Sequence, residues 1–178
     1  LDLKKLCKKF DIIECSGVLH HMDNPLEGWK ILSDCLKSNG LMRIGIYSKL
    51  ARQNIKKIRS IIGKIKIKPD NLSIKQFRNY IAFSKDPDLN KIKFSKDFYS
   101  ISSIRDLIFN ENENLFTLIQ IKNSLQRLEL NFCGFENKKI IENFLREHHA
   151  PEDCYDLYKW DLYEKNNKGT FIEMYQFW

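Results

Sequence analysis

The chain has 178 residues, 43% hydrophobic and 12% aromatic, which suits one folded domain with its own core and excludes a disordered polypeptide. Thirty Lys and Arg against 23 Asp and Glu leave a formal charge of +7, while no apolar run is long enough to cross a bilayer. The opening residues lack the pattern of a secretory signal, so the expectation is a soluble cytoplasmic protein that engages no membrane.

Residues 10–15 (FDIIEC) form a short apolar run after a Lys-rich approach and read as a strand covered on both faces. Ser16 and Gly17 break it. Asp23 or Asn24 before Pro25 starts a helix, whose apolar stripe is Leu26, Trp29, Ile31, Leu32, Cys35 and Leu36. Asn39-Gly40 supplies the left-handed C-terminal cap, and residues 41–47 form the next strand. A strand, helix and strand at this spacing make a right-handed βαβ unit with parallel strands. The ends near Ser16 and Tyr47 then share one sheet edge, where open α/β sheets bind ligands.

Residues 49–68 predict a basic amphipathic helix. Its Ile stripe docks on the protein and its Lys and Arg face water, a reading preferred to RNA or membrane contact. Residues 72–84 predict a helix opened by Ser73, and Asp86-Pro87-Asp88 a loop. Further helices are expected at 100–109 and 117–131, separated by a polar run at 110–114. A short strand at 132–136, a helix at 140–147 and an aromatic-rich strand at 169–178 close the chain.

Five widely spaced cysteines, Cys7, Cys15, Cys35, Cys133 and Cys154, lack zinc or redox spacing and are expected as reduced, mostly buried thiols. The net charge comes from Lys spread along the chain among abundant Asn and Ile, a composition that coding bias alone would produce. Nucleic-acid binding is therefore not expected.

Five blocks in order, FDIIECSGVLHHM, GLMRIGIYSKLAR, FYSISSIRDLIF, LNFCGFE and TFIEMYQFW, with Trp160 and Glu164 between the last two, carry a resemblance. The chain resembles the C-terminal part of a class I S-adenosylmethionine-dependent methyltransferase, of a bacterial subgroup often fused to tetratricopeptide repeats. The resemblance implies an α/β, Rossmann-like fold incomplete at the N-terminus, with a helical insertion between the fifth and sixth strands. By this reading 10–48 form the cofactor edge, 49–131 the helical cap and 132–178 the closing strands of one partial domain, 1–178. S-adenosylmethionine is the implied cofactor, the methyl acceptor is unassigned, and tetratricopeptide repeats are candidate partners.

Two features depart from that family. Its glycine-rich cofactor loop and ribose-binding acid have no counterpart here, so a fragment with these parts upstream is expected, since the chain begins with Leu; a complete chain would bind the cofactor poorly. At Asn110 the subgroup tends to carry His.

Cys15, Ser16, Gly17 and His20 are the expected cofactor-binding residues, by the strand-end rule and the resemblance together. His21 is a candidate base near neutral pH; being adjacent, His20 and His21 face different ways, and no metal site is expected. In the insertion, which the resemblance places over the acceptor pocket, Asp106 and Glu113 are candidate proton acceptors, with Arg105 setting the carboxylate's charge state. Arg105 is also counted with Tyr47, and Ser48 beside it, as pocket lining. Core packing is the reading for Trp29, Trp160, Tyr175, Phe177 and Trp178. A methyltransferase is the leading function, and a non-catalytic methyltransferase-like interaction module its rival.

Overall fold

The computed structural model describes residues 3, 5, 7–109 and 113–178, the side chains of 88, 94 and 96 excepted. Asn110 lies outside the described residues. Two compact units emerge, Leu1–Ala51 with Asn112–Trp178, and Arg52–Glu111.

In the first unit, β1 (Phe10–Ser16) leads through a short 3-10 turn at Leu19–His21 to α1 (Pro25–Asp34) and then β2 (Leu36–Ile46). Asn24 caps α1, its Oδ1 accepting the Glu27 N–H at 3.2 Å, with Pro25 in the first turn. β1 and β2 are parallel, as the βαβ reading requires, and β3 (Tyr175–Phe177) adds antiparallel to β2, giving the order β1-β2-β3.

Register sorts the side chains by face. Ile13 pairs with Met42 and Cys15 with Ile44 on the packed side; Ile12 pairs with Leu41, and Glu14 with Arg43, on the other. Ile12 is 63% and Leu41 47% exposed, so this chain covers one face of the βαβ pair, where cover on both was expected. On that open face Arg43 bridges Glu14 and Glu136.

Asn39-Gly40 does not cap α1. The helix ends at Asp34, and the pair lies inside β2, where the Phe10↔Leu36 and Ile12↔Leu41 pairings leave residues 37–40 opposite Asp11 alone. Such a bulge needs a left-handed residue, which Asn39 supplies at φ +62°. Gly40 follows because a Cβ there would stand 3.0 Å from the Asp11 carbonyl.

The rest of the first unit comprises α6 (Leu118–Arg127), α7 (Lys138–Glu147) and α8 (Leu157–Asn166). Thr117 and Gln120 cap α6 reciprocally, a capping box that fixes its start. This helix, expected within the 49–131 cap, packs Leu118, Ile121 and Leu125 into the core of the first unit. Phe144 stacks on Trp160 with ring centroids 3.8 Å apart, and Phe135 meets Trp160 at 4.8 Å. The expected strand at 132–136 reduces to one antiparallel bridge, Phe135↔Phe177. That at 169–178 shortens to β3, because Gly169 turns the chain at φ +113°.

The second unit holds α2 (Gln53–Ile65), α3 (Asn71–Phe83), α4 (Pro87–Lys91) and α5 (Ile101–Phe109), with two short 3-10 turns between α4 and α5. Ile55, Ile58 and Ile62 of α2 pack with Ile74, Phe77 and Ile81 of α3 and Ile104, Leu107 and Ile108 of α5, so the Ile stripe does dock. Asp70, rather than Ser73, caps α3; its carboxylate accepts from the Ser73 N–H at 2.9 Å and hydroxyl at 2.8 Å. Asp86-Pro87-Asp88 opens α4 instead of making an extended loop. No described helix is long and apolar enough to cross a membrane.

Candidate functional site

β1 and β2 end side by side. The Gly17 N–H donates to the Gly45 carbonyl at 3.1 Å, and Ser16 lies over Gly45, where a Cβ would fall 2.1 Å from Ser16 Oγ. Gly17 itself has φ +75° and open space where its Cβ would point. Apart from its chain neighbours no atom of the described residues lies within 4 Å of that position, which leaves the backbone bare on that side.

Past Gly17 the chain dives inward. Leu19 is 1% and His20 0% exposed, and the His20 ring lies 4.1 Å from that of Tyr47 and 4.3 Å from that of His21. The half-buried His21 and Tyr47 flank the interior His20. Asn114 holds this turn in place: its N–H donates to the His20 carbonyl and its Nδ2 to the Met22 carbonyl, both at 2.7 Å. Two residues on, the Phe116 N–H donates to the Tyr47 carbonyl at 3.0 Å, and the Phe116 carbonyl accepts from Lys49 at 2.8 Å. Residues 114–116 therefore stitch the loop after β1 to the end of β2.

Cys15, Ser16, Gly17, His20, His21 and Tyr47 thus gather at one edge, and the half-buried Glu113 directly precedes Asn114. Burial raises the Cys15 thiol above its ordinary value, which keeps it protonated and a poor nucleophile. Ser48 is not pocket lining. It is 1% exposed, and its Oγ donates to Glu164 Oε1 at 2.5 Å, while Tyr175 Oη donates to Glu164 Oε2 at 2.6 Å. Burial pushes the Glu164 carboxyl up, the two hydroxyl donors opposing it.

Arg105 and Asp106 lie on α5 in the second unit. The Arg105 guanidinium donates to the Pro69 carbonyl at 3.1 Å and to Asn71 Oδ1 at 2.5 Å, so it fastens the α2–α3 connection; Asp106 faces solvent. No cluster of metal-ligating side chains occurs among the described residues.

The polar run at 110–114 gave no signal of Asn114's role, and Glu164, one acid within the aromatic string WDLYE, none of its burial. A cleft of about 590 Å³ between α1 and α6 is lined by Trp29, Leu36, Asn39, Leu125, Asn131 and Trp178. Since Leu36 opens β2, this cleft reaches toward the end of the strand away from Gly17 and Tyr47.

The residues present fit one wall of a cofactor site. Gly17 leaves open space at the strand end, and His20 with Tyr47 gives a packed aromatic edge. No acidic side chain stands between Cys15 and Met22 to hold a ribose.

No protein-family model matches the chain. An uncharacterized protein of Synechococcus sp. is 34% identical over 62 residues, which is 35% of this chain and 15% of that protein. Among solved structures, PKMT2 from Rickettsia typhi superimposes with a TM-score of 0.69 at 17% identity, covering 99% of this chain and 36% of PKMT2. The structure of PKMT2 in complex with AdoHcy matches at TM-score 0.62 and 18% identity, with the same coverage. The chain thus spans about a third of the length of the solved structure it matches. Among the described residues a three-stranded sheet and eight α-helices make an α/β fold, which is shared with the matching part of these PKMT2 structures.

Proposed function

We propose that the chain is part of the catalytic domain of an S-adenosylmethionine-dependent methyltransferase and forms the wall of its cofactor site at the ends of β1 and β2. One observation carries this reading: Gly17, bare and left-handed at the end of a parallel strand, in a fold shared with a protein solved in complex with AdoHcy. S-adenosylmethionine, when bound, supplies a methyl group on sulfur for in-line displacement, so the protein's task is alignment and exclusion of water.

In this reading the Cys15–Gly17 backbone lies along the cofactor, and His20, locked between His21 and Tyr47, closes the inner side. His21 and Glu113 are the candidate groups to accept a proton from an acceptor hydroxyl or amine. Asp106 and Arg105 are assigned to the acceptor side on the resemblance alone, while the guanidinium of Arg105 is bonded to Pro69 and Asn71. The glycine-rich loop and ribose-binding acid come from residues other than these 178, with tetratricopeptide repeats as candidate companions.

Calorimetric titration of the full-length protein with S-adenosylhomocysteine tests the reading. Binding is expected, and Gly17→Val should weaken it at least about tenfold while the fold persists. Absence of binding up to about 1 mM ligand overturns the proposal. The rival, a non-catalytic interaction module, is favoured by one observation, the apolar face that α3 leaves exposed.

A further inference from the structure

The charge of this chain is not evenly spread. Residues 52–111, the second unit, hold 14 Lys and Arg against 6 Asp and Glu, while the remaining residues hold 16 against 17. The whole positive excess therefore belongs to the helical unit, a segregation that coding bias along the entire chain does not produce.

Within that unit α3 is apolar on two sides. Ile74, Phe77 and Ile81 are buried. Leu72, Tyr80 and Phe83 project outward at 66%, 56% and 88% exposure, with the exposed Lys75, Gln76 and Asn79 between them. Spacings of eight and eleven residues keep the three apolar side chains on one helical stripe roughly 16 Å long, at 1.5 Å per residue. The Tyr80 ring stacks on Phe77 with centroids 6.0 Å apart, so less side-chain freedom is lost when it is covered. Ahead of Leu72, the last turn of α2 carries the exposed Lys64 and Ile65, the latter 58% exposed, and the α2–α3 connection the exposed Lys66 and Lys68.

We propose that this face of α3 docks an acidic, amphipathic segment of a partner protein. The apolar anchors follow the helix-in-groove pattern of recognition, and the surrounding Lys side chains select Asp and Glu on the partner by charge complementarity. Nucleic acid fits less well: Tyr80 and Phe83 offer rings to bases, but the aliphatic Leu72 and Ile65 that extend the apolar surface do not. An anionic membrane fits less well too, because Gln76 and Asn79 interrupt the stripe and Asp70 stands at its start. The surface operates whether or not the strand-end site binds cofactor.

Selection from a random peptide display library on the full-length protein tests this, with affinities of selected peptides read by fluorescence anisotropy. Enriched peptides should carry Asp and Glu with apolar residues at helical spacing. Leu72→Ser, Tyr80→Ser and Phe83→Ser together should weaken them at least about tenfold. Lys64→Gln, Lys66→Gln and Lys68→Gln should weaken them and flatten their salt dependence. Circular dichroism checks the fold, and Phe83→Ser alone, at the most exposed position, replaces the triple variant if helix is lost. The proposal is overturned if no peptide is enriched, if enriched peptides lack acidic residues, or if they bind the serine variant as tightly. It is equally overturned if oligouridine or phosphatidylserine vesicles displace the peptides from this face.

Discussion

Ser48 Oγ donates to Glu164 Oε1 at 2.5 Å across 116 positions of sequence. The direction is fixed, because the same oxygen accepts the Leu50 and Ala51 N–H groups at 3.1 and 3.0 Å, leaving its own proton for the carboxylate. With Tyr175 Oη on the other oxygen, one buried acid on α8 ties Ser48, two residues past β2, to β3. Glu164→Ala strands two buried hydroxyls and should cost about 2–4 kcal/mol in urea unfolding. Ser48→Ala should cost about 1–3 kcal/mol and speed hydrogen exchange at Leu50 and Ala51. Wild-type stability and exchange in Ser48→Ala would show that the network orders nothing.

A pH signature follows from the same acid. Burial raises the Glu164 carboxyl above its ordinary 4.5 in the fold. Just above that pH the folded state holds more protons than the unfolded one, so this group's contribution to stability falls as pH rises through the raised value. Glu164→Gln removes the titration and keeps the shape. Relative to wild type, the variant should gain stability as pH increases from about 4.5 and then level off. Asp11 and Asp70, both held low, by Lys37 and by Ser73, lose stabilisation as pH falls, but equally in both proteins. Parallel stability curves would refute the burial argument.

Local pattern made the βαβ unit legible. The short apolar run FDIIEC, Pro25 after Asn24 and the strand around Ile44 each express a rule of a few residues, and all three elements form, although the cover expected on both faces of the first strand is present on one. Asn39-Gly40 misled because a left-handed residue serves a bulge as readily as a helix cap, and only the partner strand decides between them. The strand-end site could be located but not completed. Gly17 and His20 lie in the loop that marks it, whereas Asn114 reaches it from 94 positions away and Glu164 supports it from 116. Charge segregation was invisible until the second unit had boundaries.

Gly17 separates conformational from functional cost. At φ +75° with open space beyond its Cα, Ala there meets no neighbour and suffers only the left-handed penalty, about 1–2 kcal/mol. Gly17→Val should add obstruction at the proposed cofactor edge. S-adenosylhomocysteine affinity should therefore fall further for Val than for Ala, beyond any difference in stability measured by urea unfolding. Equal affinities would place the cofactor away from this strand end.

Asn114 gives the sharpest test of how the turn after β1 is held. Its main-chain N–H to the His20 carbonyl survives any substitution but proline, whereas the Nδ2 bonds to the Met22 carbonyl at 2.7 Å and to the His20 carbonyl at 3.4 Å are lost in Asn114→Ala. One short and one long neutral hydrogen bond are together worth about 1–2 kcal/mol, so global unfolding should shift modestly. The local consequence should be larger, because the His20 ring is wedged between Tyr47 and His21 and the turn fixes where that wedge sits. Imidazole resonances of His20 and His21 should move and broaden in the variant, while those of the Phe144 and Trp160 rings, stacked in the core, stay in place. Gln at 114 should not restore them, since one extra methylene displaces the amide from the Met22 carbonyl. If both imidazoles keep their wild-type shifts in Asn114→Ala, the turn is held by the main chain alone, and Asn114 has no part in shaping the site.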